Sequence, residues 1–303
     1  MGKLGSLVVG IDVGGTNTDA ALVFTPHEQA SAAVVAQLEV WAAALDSAGR
    51  AEEADELRAQ SVRWQAPGGA ARRRGLILGW VKRSTTADVP AGVQAAIRAV
   101  LQDVWQPDEV DACLVGTTHF VNAIVQRSAE LSPVAVLRLC GPASGALPPF
   151  VSLPADLAAI VRGHYLLAQG GLEIDGQQEI TAIDEAEIVD FVDTCLAKDL
   201  HCIVVCGVFS PVSSAQEEHA VELIEAELLR RVGATAAAGF AVTASHEVAG
   251  MGLLERESAS ILNATVQPLA QRTVASLRHA LTELDLSCPL YLTQNDGTVA
   301  PTA

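Results

Sequence analysis

A carboxylate at the end of a β-branched run, followed by two glycines and three small polar residues, suits a phosphate-holding turn. The segment Ile11–Asp19, IDVGGTNTD, has that form. Gly14 and Gly15 lack a Cβ and tolerate positive φ, so main-chain N–H groups can approach an anion closely. Thr16, Asn17 and Thr18 add hydroxyl and amide donors. Asp12 supplies a hard oxygen for Mg2+ or its waters, and Asp19 can do the same or fix the turn. No Gly-Lys-Ser/Thr follows, so this is not a Walker A loop, and no dinucleotide fingerprint is present. An ordinary hairpin turn has much the same composition, and the turn alone does not separate the two.

Three further clusters bear on chemistry. Gly116, Thr117, Thr118, His119 and Asn122 follow an apolar run. There His119 reads either as a metal ligand or acid/base group, or as a helix-start histidine bonded to main chain. Ser245, His246 and Glu247 stand just ahead of a helix, where they either cap it or act on a ligand. Glu255, Arg256, Glu257 and Asn263 share helical spacing and read as a solvated or interface face. His164, His201, His219 and His279 have no supporting pattern. Six cysteines are scattered without a CxxC pair, most in apolar runs, as expected of reduced core thiols.

The elements that must position these groups are legible. Leu7–Val13 and Ala20–Phe24 read as two strands joined by the glycine turn. Leu76–Lys82, Ala112–Val115, Val134–Leu139, His201–Phe209, Phe240–Thr243 and Pro289–Thr293 read as further strands. Val93, Ile97, Val100 and Leu101 share one helical face. Asp184 begins the helix Ile188–Leu196, with Glu187 placed to complete a capping box. Helices follow at Ala215–Arg231 and Leu253–Leu284, the latter expected to break near Pro268. Gly170–Gly176 reads as a second hairpin with its turn at Asp175-Gly176. Strands and helices alternating from about Ala182 indicate an open, mostly parallel sheet. His27–Gly75 stands apart: Val34, Leu38, Trp41 and Leu45 form one helical face, and Gln65–Gly75 is a Gly/Ala/Arg linker. It reads as an inserted helical excursion on the surface, or as retained intron sequence.

Over 303 residues, 50% are hydrophobic, 4% are aromatic, and the formal charge is −17. This composition suits a soluble α/β enzyme and disfavours nucleic acid and anionic membranes as partners. The one basic concentration, including Arg72–Arg74, reads as a solvated loop. Neither a signal-peptide pattern nor a run of about 20 apolar residues occurs, so a cytoplasmic protein is expected.

IDVGGTNTD resembles the first phosphate motif of the actin/sugar-kinase ATPase superfamily. More narrowly, it resembles the hydantoinase A/5-oxoprolinase family. Trp80–Val93, Gly116–Arg127, Gly207–Val212, Ser245–Ala264 and Tyr291–Thr298 match that family in the same order, so the resemblance spans nearly everything except 27–75. It implies an α/β fold of the ribonuclease-H-like, actin-like ATPase type. Residues 1–150 would form the first domain, with 27–75 as the insert, and 151–303 an incomplete second one. It further implies ATP and Mg2+ as cofactors, a cyclic amide such as hydantoin or 5-oxoproline as substrate, and a hydantoinase B-type partner subunit or domain. Phosphorylation of the lactam oxygen would activate a poor electrophile toward water, with the protein positioning phosphates and neutralising charge. Carried over residue by residue, Asp12, Gly14, Gly15, Thr16, Asn17 and Thr18 match the phosphate motif. Gly116, Thr117, Thr118, His119 and Asn122 match a second loop. Asp12 and His119 are then the candidate catalytic and metal-binding residues, and Thr117 and Thr118 join the cofactor-binding set. A second Asp-x-Gly-Gly-Thr motif, which the family places further on, does not occur, so an N-terminal portion is expected. The alternatives are a subunit of an ATP-dependent ketone carboxylase and a non-catalytic, partner-binding module.

Overall fold

The computed structural model describes residues 4–14, 16–27, 32–65, 75–84, 89–102, 104–250, 252–294 and 297–302. Gly15, the Arg72–Arg74 run, Thr85–Asp88, Asn295 and Asp296 lie outside the described residues. Two compact units result, one of residues 1–119 with 272–303 and one of 120–271. This division differs from the expected boundary at 150. The strand Val134–Leu139 hydrogen-bonds to Arg162–Ala168 and Cys202–Gly207, which places it in the second unit.

In the first unit, β1 (Gly5–Val13) alternates strictly, burying Leu7, Val9, Ile11 and Val13 and leaving Asp12 exposed. That period of two fixes one face to the core. β2 (Asn17–Pro26) returns antiparallel, and Gly14 N donates to Asn17 O at 2.9 Å to close the turn. β3 (Leu76–Ser84) pairs with β2, while β4 (Ala112–Thr117) lies parallel to β1 on its other side. Further out come β9 (Leu290–Thr293), parallel to β4, and the short β10 (Val299–Pro301). The order β3-β2-β1-β4-β9, with β2 alone reversed within it, is a ribonuclease-H-like sheet.

The 27–75 segment departs from the surface excursion expected of it. Its helices α1 (Ala32–Ser47) and α2 (Ala51–Gln65) bury Val34, Leu38, Ala42, Leu45, Ala54 and Leu57 in the same core as β1 to β4. The ring of Trp41 meets Phe24 edge-on at 5.0 Å. At the bend between the helices, Arg50 pairs with Glu53 at 2.7 Å, donates to Val100 O, and covers the Trp105 ring. An apolar helical face must be covered, and here the sheet covers it. α3 (Val89–Leu101) completes the layer with Val93, Ile97, Val100 and Leu101, the face its periodicity predicts.

The second unit has a four-stranded, all-parallel sheet in the order β6-β5-β7-β8. Its strands are β5 (Val134–Leu139), β6 (Arg162–Ala168), β7 (Cys202–Gly207) and β8 (Ala241–Ala244). β5 and β7 are buried at every position, as parallel strands covered on both faces are. One core layer includes α4 (His119–Val125), α5 (Ala155–Val161) and the first part of α9 (Leu253–Thr282). The other includes α6 (Glu185–Ala197) and α7 (Ala215–Ala237).

Local details differ from expectation in three places. α9 continues through Pro268, forgoing one main-chain hydrogen bond. Asp184 does cap α6, accepting from Ala186 N at 2.9 Å, but Glu187 reaches Gln169 N instead of closing a capping box. The hairpin at Gly170–Gly176 narrows to a single bridge between Leu172 and Glu179, its turn held by Asp175.

If α1 and α2 belong to the core, Leu38→Ala and Leu57→Ala should each destabilise the protein by about 2–5 kcal/mol in denaturant unfolding. Losses below about 0.5 kcal/mol would instead mark a surface appendage.

Candidate functional site

Ligands of open sheets gather beyond the carboxyl ends of parallel strands. In the first unit those ends belong to β1, β4 and β9. The register sets Asp12 opposite Gly116 and Val13 opposite Thr117, while Val115 faces Leu292. Gly116 lies where side chains from both flanking strands converge. A Cβ there would stand 3.1 Å from Thr293 Oγ1 and 3.6 Å from Asp12 Oδ1. A side chain at 116 would press on the Thr293 hydroxyl and touch the Asp12 carboxylate, so glycine leaves both groups uncrowded beside it.

The turn beside this point is built differently from its expectation in one respect. Gly14 does not adopt positive φ. What it provides is room, since a Cβ would sit 3.3 Å from Asn17 O. Thr16 is exposed, Asn17 is half-buried, and Thr18 is buried at 1% exposure, facing the core side of β2. Asp19, across from Asp12 in the hairpin, forms a surface ion pair with Lys82 at 3.2 Å.

The second loop is tied to the first by Thr117. Its hydroxyl donates to Val13 O at 3.4 Å and accepts from His119 N at 3.1 Å. That hydroxyl therefore joins the ends of β4 and β1 and starts α4. Thr118 is exposed, and half-buried His119 is the first residue of α4. His119 closes the first unit and Asn122 falls in the second. Among the described residues, no group of three or more His, Cys, Asp or Glu is placed to hold a metal ion. Asp12 fits a different role, since Mg2+ on a nucleotide keeps several waters and takes only one or two protein carboxylates beside the phosphates. Thr293 went unassigned in the sequence, although the stretch Tyr291–Thr298 contains it.

The second unit concentrates its polar chemistry at the ends of β7 and β8. Glu217, on the first turn of α7, is wholly buried. Its Oε1 accepts from Gly207 N and from Ser245 Oγ, both at 2.6 Å. Its Oε2 accepts from His246 N at 3.0 Å and contacts His246 Nδ1 at 2.6 Å. Arg256, 1% exposed, donates to Ser245 Oγ at 2.8 Å, Gly207 O at 2.5 Å and Gly250 O at 3.1 Å. The adjacent Glu257 forms a bidentate pair with Arg138 of β5, at 2.8 and 2.6 Å. Arg256 and Glu257 are thus buried groups, not the solvated face their spacing suggested. Buried charges persist when each finds an opposite charge or several hydrogen bonds. Burial pushes the Glu217 carboxyl up, but the Ser210 hydroxyl beside it and bonds from Ser245 and the main-chain N–H groups of His246 and Gly207 outweigh it, leaving it below its ordinary range.

All six cysteines are free. Burial pushes the thiols of Cys113, Cys195 and Cys206 up to about 12 and that of Cys202 to about 11. Such groups stay protonated and make poor nucleophiles.

The family model for the hydantoinase/oxoprolinase N-terminal region matches residues 70–228, just over half of the chain. The chain belongs to the hydantoinase/oxoprolinase family. A comparison with curated protein sequences found no match. Among solved structures, it is similar to a nucleotide-free acetone carboxylase, described in work on ATP-dependent acetone carboxylation, with a TM-score of 0.60 and 14% identity. It is also similar to an ATP-dependent caprolactamase from Pseudomonas jessenii, with a TM-score of 0.54 and 19% identity. These matches cover 98% and 97% of this chain but only 37% and 36% of the respective structures. At such identities the likeness establishes the actin-like ATPase fold. Among the described residues, no helix of this family member is long and apolar enough to cross a membrane.

Glu217→Gln should cost about 3–5 kcal/mol at neutral pH, because it leaves the buried donors of Gly207, Ser245 and His246 without their carboxylate. A carboxyl held low in the folded state stabilises above its unfolded pKa and loses that effect as pH falls through its folded value. The gap between wild type and Glu217→Gln in urea unfolding should therefore narrow as pH drops below the ordinary carboxylate range. A gap independent of pH would contradict this.

Proposed function

We propose that this chain is the nucleotide-gripping part of an ATP-dependent hydrolase that opens cyclic amides of the hydantoin or 5-oxoproline type. The observation that carries the reading is the convergence of Asp12, Gly116 and Thr293 at the ends of three adjacent parallel strands, beside the Gly14–Asn17 turn. Membership of the hydantoinase/oxoprolinase family and the likeness to a caprolactamase support the substrate class. Asp12 would hold Mg2+ of the nucleotide through its waters, and the N–H groups of the turn would face phosphate oxygens. Thr293 would donate its hydroxyl to a phosphate oxygen. Thr16, Asn17 and Thr118, exposed or half-exposed, would add donors. Thr117 holds the two loops in register. His119 serves better as the helix-start residue its bond to Thr117 makes it. ATP supplies a phosphoryl group that turns an amide oxygen into a leaving group.

An ATP-dependent ketone carboxylase subunit is the second reading, favoured by the fold likeness to acetone carboxylase. Dependence of ATP turnover on bicarbonate would select it. In either case a hydantoinase B-type partner would complete the assembly.

Titration calorimetry of residues 1–303 with ATP and Mg2+ tests the site directly. Asp12→Asn should weaken binding about tenfold or more, the worth of one charge-assisted contact. Equal affinity of the two proteins would overturn the assignment. ATP hydrolysis by the complete protein, stimulated by hydantoin or a lactam, tests the activity.

A further inference from the structure

A second candidate site lies within the second unit. The loop Ser210–Ala215 and the segment His246–Gly250 line an open cavity of about 570 Å3, with Glu218 on its wall. The His246 imidazole faces it at 17% side-chain exposure, backed by Glu217.

The state of that imidazole follows from its partners. Gly207 N and His246 N can only donate to Glu217. Ser245 Oγ accepts from Arg256 Nε, so its own proton points to Glu217. The carboxylate thus accepts at every contact and is held ionised, and Nδ1 must donate to Oε2 at 2.6 Å. Neutral His246 is then the Nδ1–H tautomer, with the Nε2 lone pair on the other side of the ring. Glu218 Oε1 lies 3.8 Å from Nε2. A carboxylate fixing one ring nitrogen so that the other can accept a proton is a recurring device of catalytic and ligand sites.

The cavity's other groups select the ligand. Among the described residues, no three His, Cys, Asp or Glu side chains are placed to hold a cation. Glu218 and Glu247 on the lining disfavour anions. The head of α7, which runs to a kink at Gly233, also lines the cavity and opposes cations. Ser214 does not cap that helix, because its hydroxyl donates to Glu218 at 2.6 Å. Ser213 and Ala215, which can donate through hydroxyl and main-chain N–H, line the same cavity as the acceptors Nε2 and Glu218. An uncharged molecule with an N–H beside a C=O satisfies both.

We propose that the His246–Glu217 pair is the proton-accepting group of a binding site in the second unit, and that the site takes a small uncharged amide whose N–H bonds to Nε2. The choice of an amide agrees with, and rests partly on, the reading under Proposed function, whereas the tautomer rests on this network alone.

Nitrogen-15 spectra of the imidazoles in the 303-residue chain test both parts, with His246 assigned by the signals lost in His246→Gln. The expected spectrum of the neutral ring shows His246 protonated at Nδ1 and bare at Nε2, and a neutral ring protonated at Nε2 and bare at Nδ1 would overturn the site. Hydantoin at millimolar concentration should move the Nε2 resonance, and 1,3-dimethylhydantoin, which has no N–H, should not. Equal shifts from both compounds, or none from hydantoin, would overturn the ligand. His246→Gln should weaken hydantoin binding about tenfold, the loss of one hydrogen bond. Hydantoin-stimulated ATPase in the complete protein with a silent His246 would sink this site and leave the proposed function standing. A responsive His246 without stimulated ATPase would do the reverse.

Discussion

The first unit depends on the register of one strand. β1 is hydrogen-bonded on both sides, antiparallel to β2 and parallel to β4. Its period of two sends Leu7, Val9, Ile11 and Val13 inward and leaves Asp12 facing out at the strand's end. A slip of one residue would bury the carboxylate and expose four apolar side chains, so hydrophobic burial itself holds Asp12 where it stands. The same register brings Gly116 alongside, and the absence of a side chain there leaves room for the Asp12 carboxylate and the Thr293 hydroxyl on either side. Core packing and site geometry are one constraint here.

The second unit solves a harder problem. Arg138, Glu217, Arg256 and Glu257 are all buried at 2% exposure or less. Two positive and two negative groups balance, and Arg138, Glu217 and Arg256 are further bonded to hydroxyl or main-chain atoms. Arg138 also donates to Leu147 O at 2.6 Å, which secures the loop after β5. Arg256 binds Gly207 O and Gly250 O, and so links the ends of β7 and the His246–Gly250 segment. Such a network offers little net stability over an apolar core, yet breaking any part of it is costly. Its effect is to fix the loops that surround His246.

The 27–75 segment shows how a long connection becomes structural. Loop length alone costs little, because closure entropy grows slowly. Two helices with apolar faces then repay their ordering by covering the sheet, and Arg50 bridges the bend to Val100 O and the Trp105 ring. An excursion becomes a layer of the core.

Local rules made much of this legible in the sequence. The strand–glycine–strand hairpin, the alternation in β1, the shared face of Val93, Ile97, Val100 and Leu101, and the Asp184 cap all depend on neighbours within a few residues. The ordered stretches from Trp80 to Thr298 pointed to the family the chain belongs to. What tertiary structure alone decided was the environment of those residues. Periodicity placed Arg256 and Glu257 on a helix but could not say what covers it, because Glu257 meets Arg138 from 119 positions away. Nothing near Glu217 marked it as the anchor of His246, 29 positions further on. Thr293 reaches Gly116 only because β9 lies beside β4. Short-range order is written in local spacing, whereas the burial and pairing of charges arise only when distant strands come together.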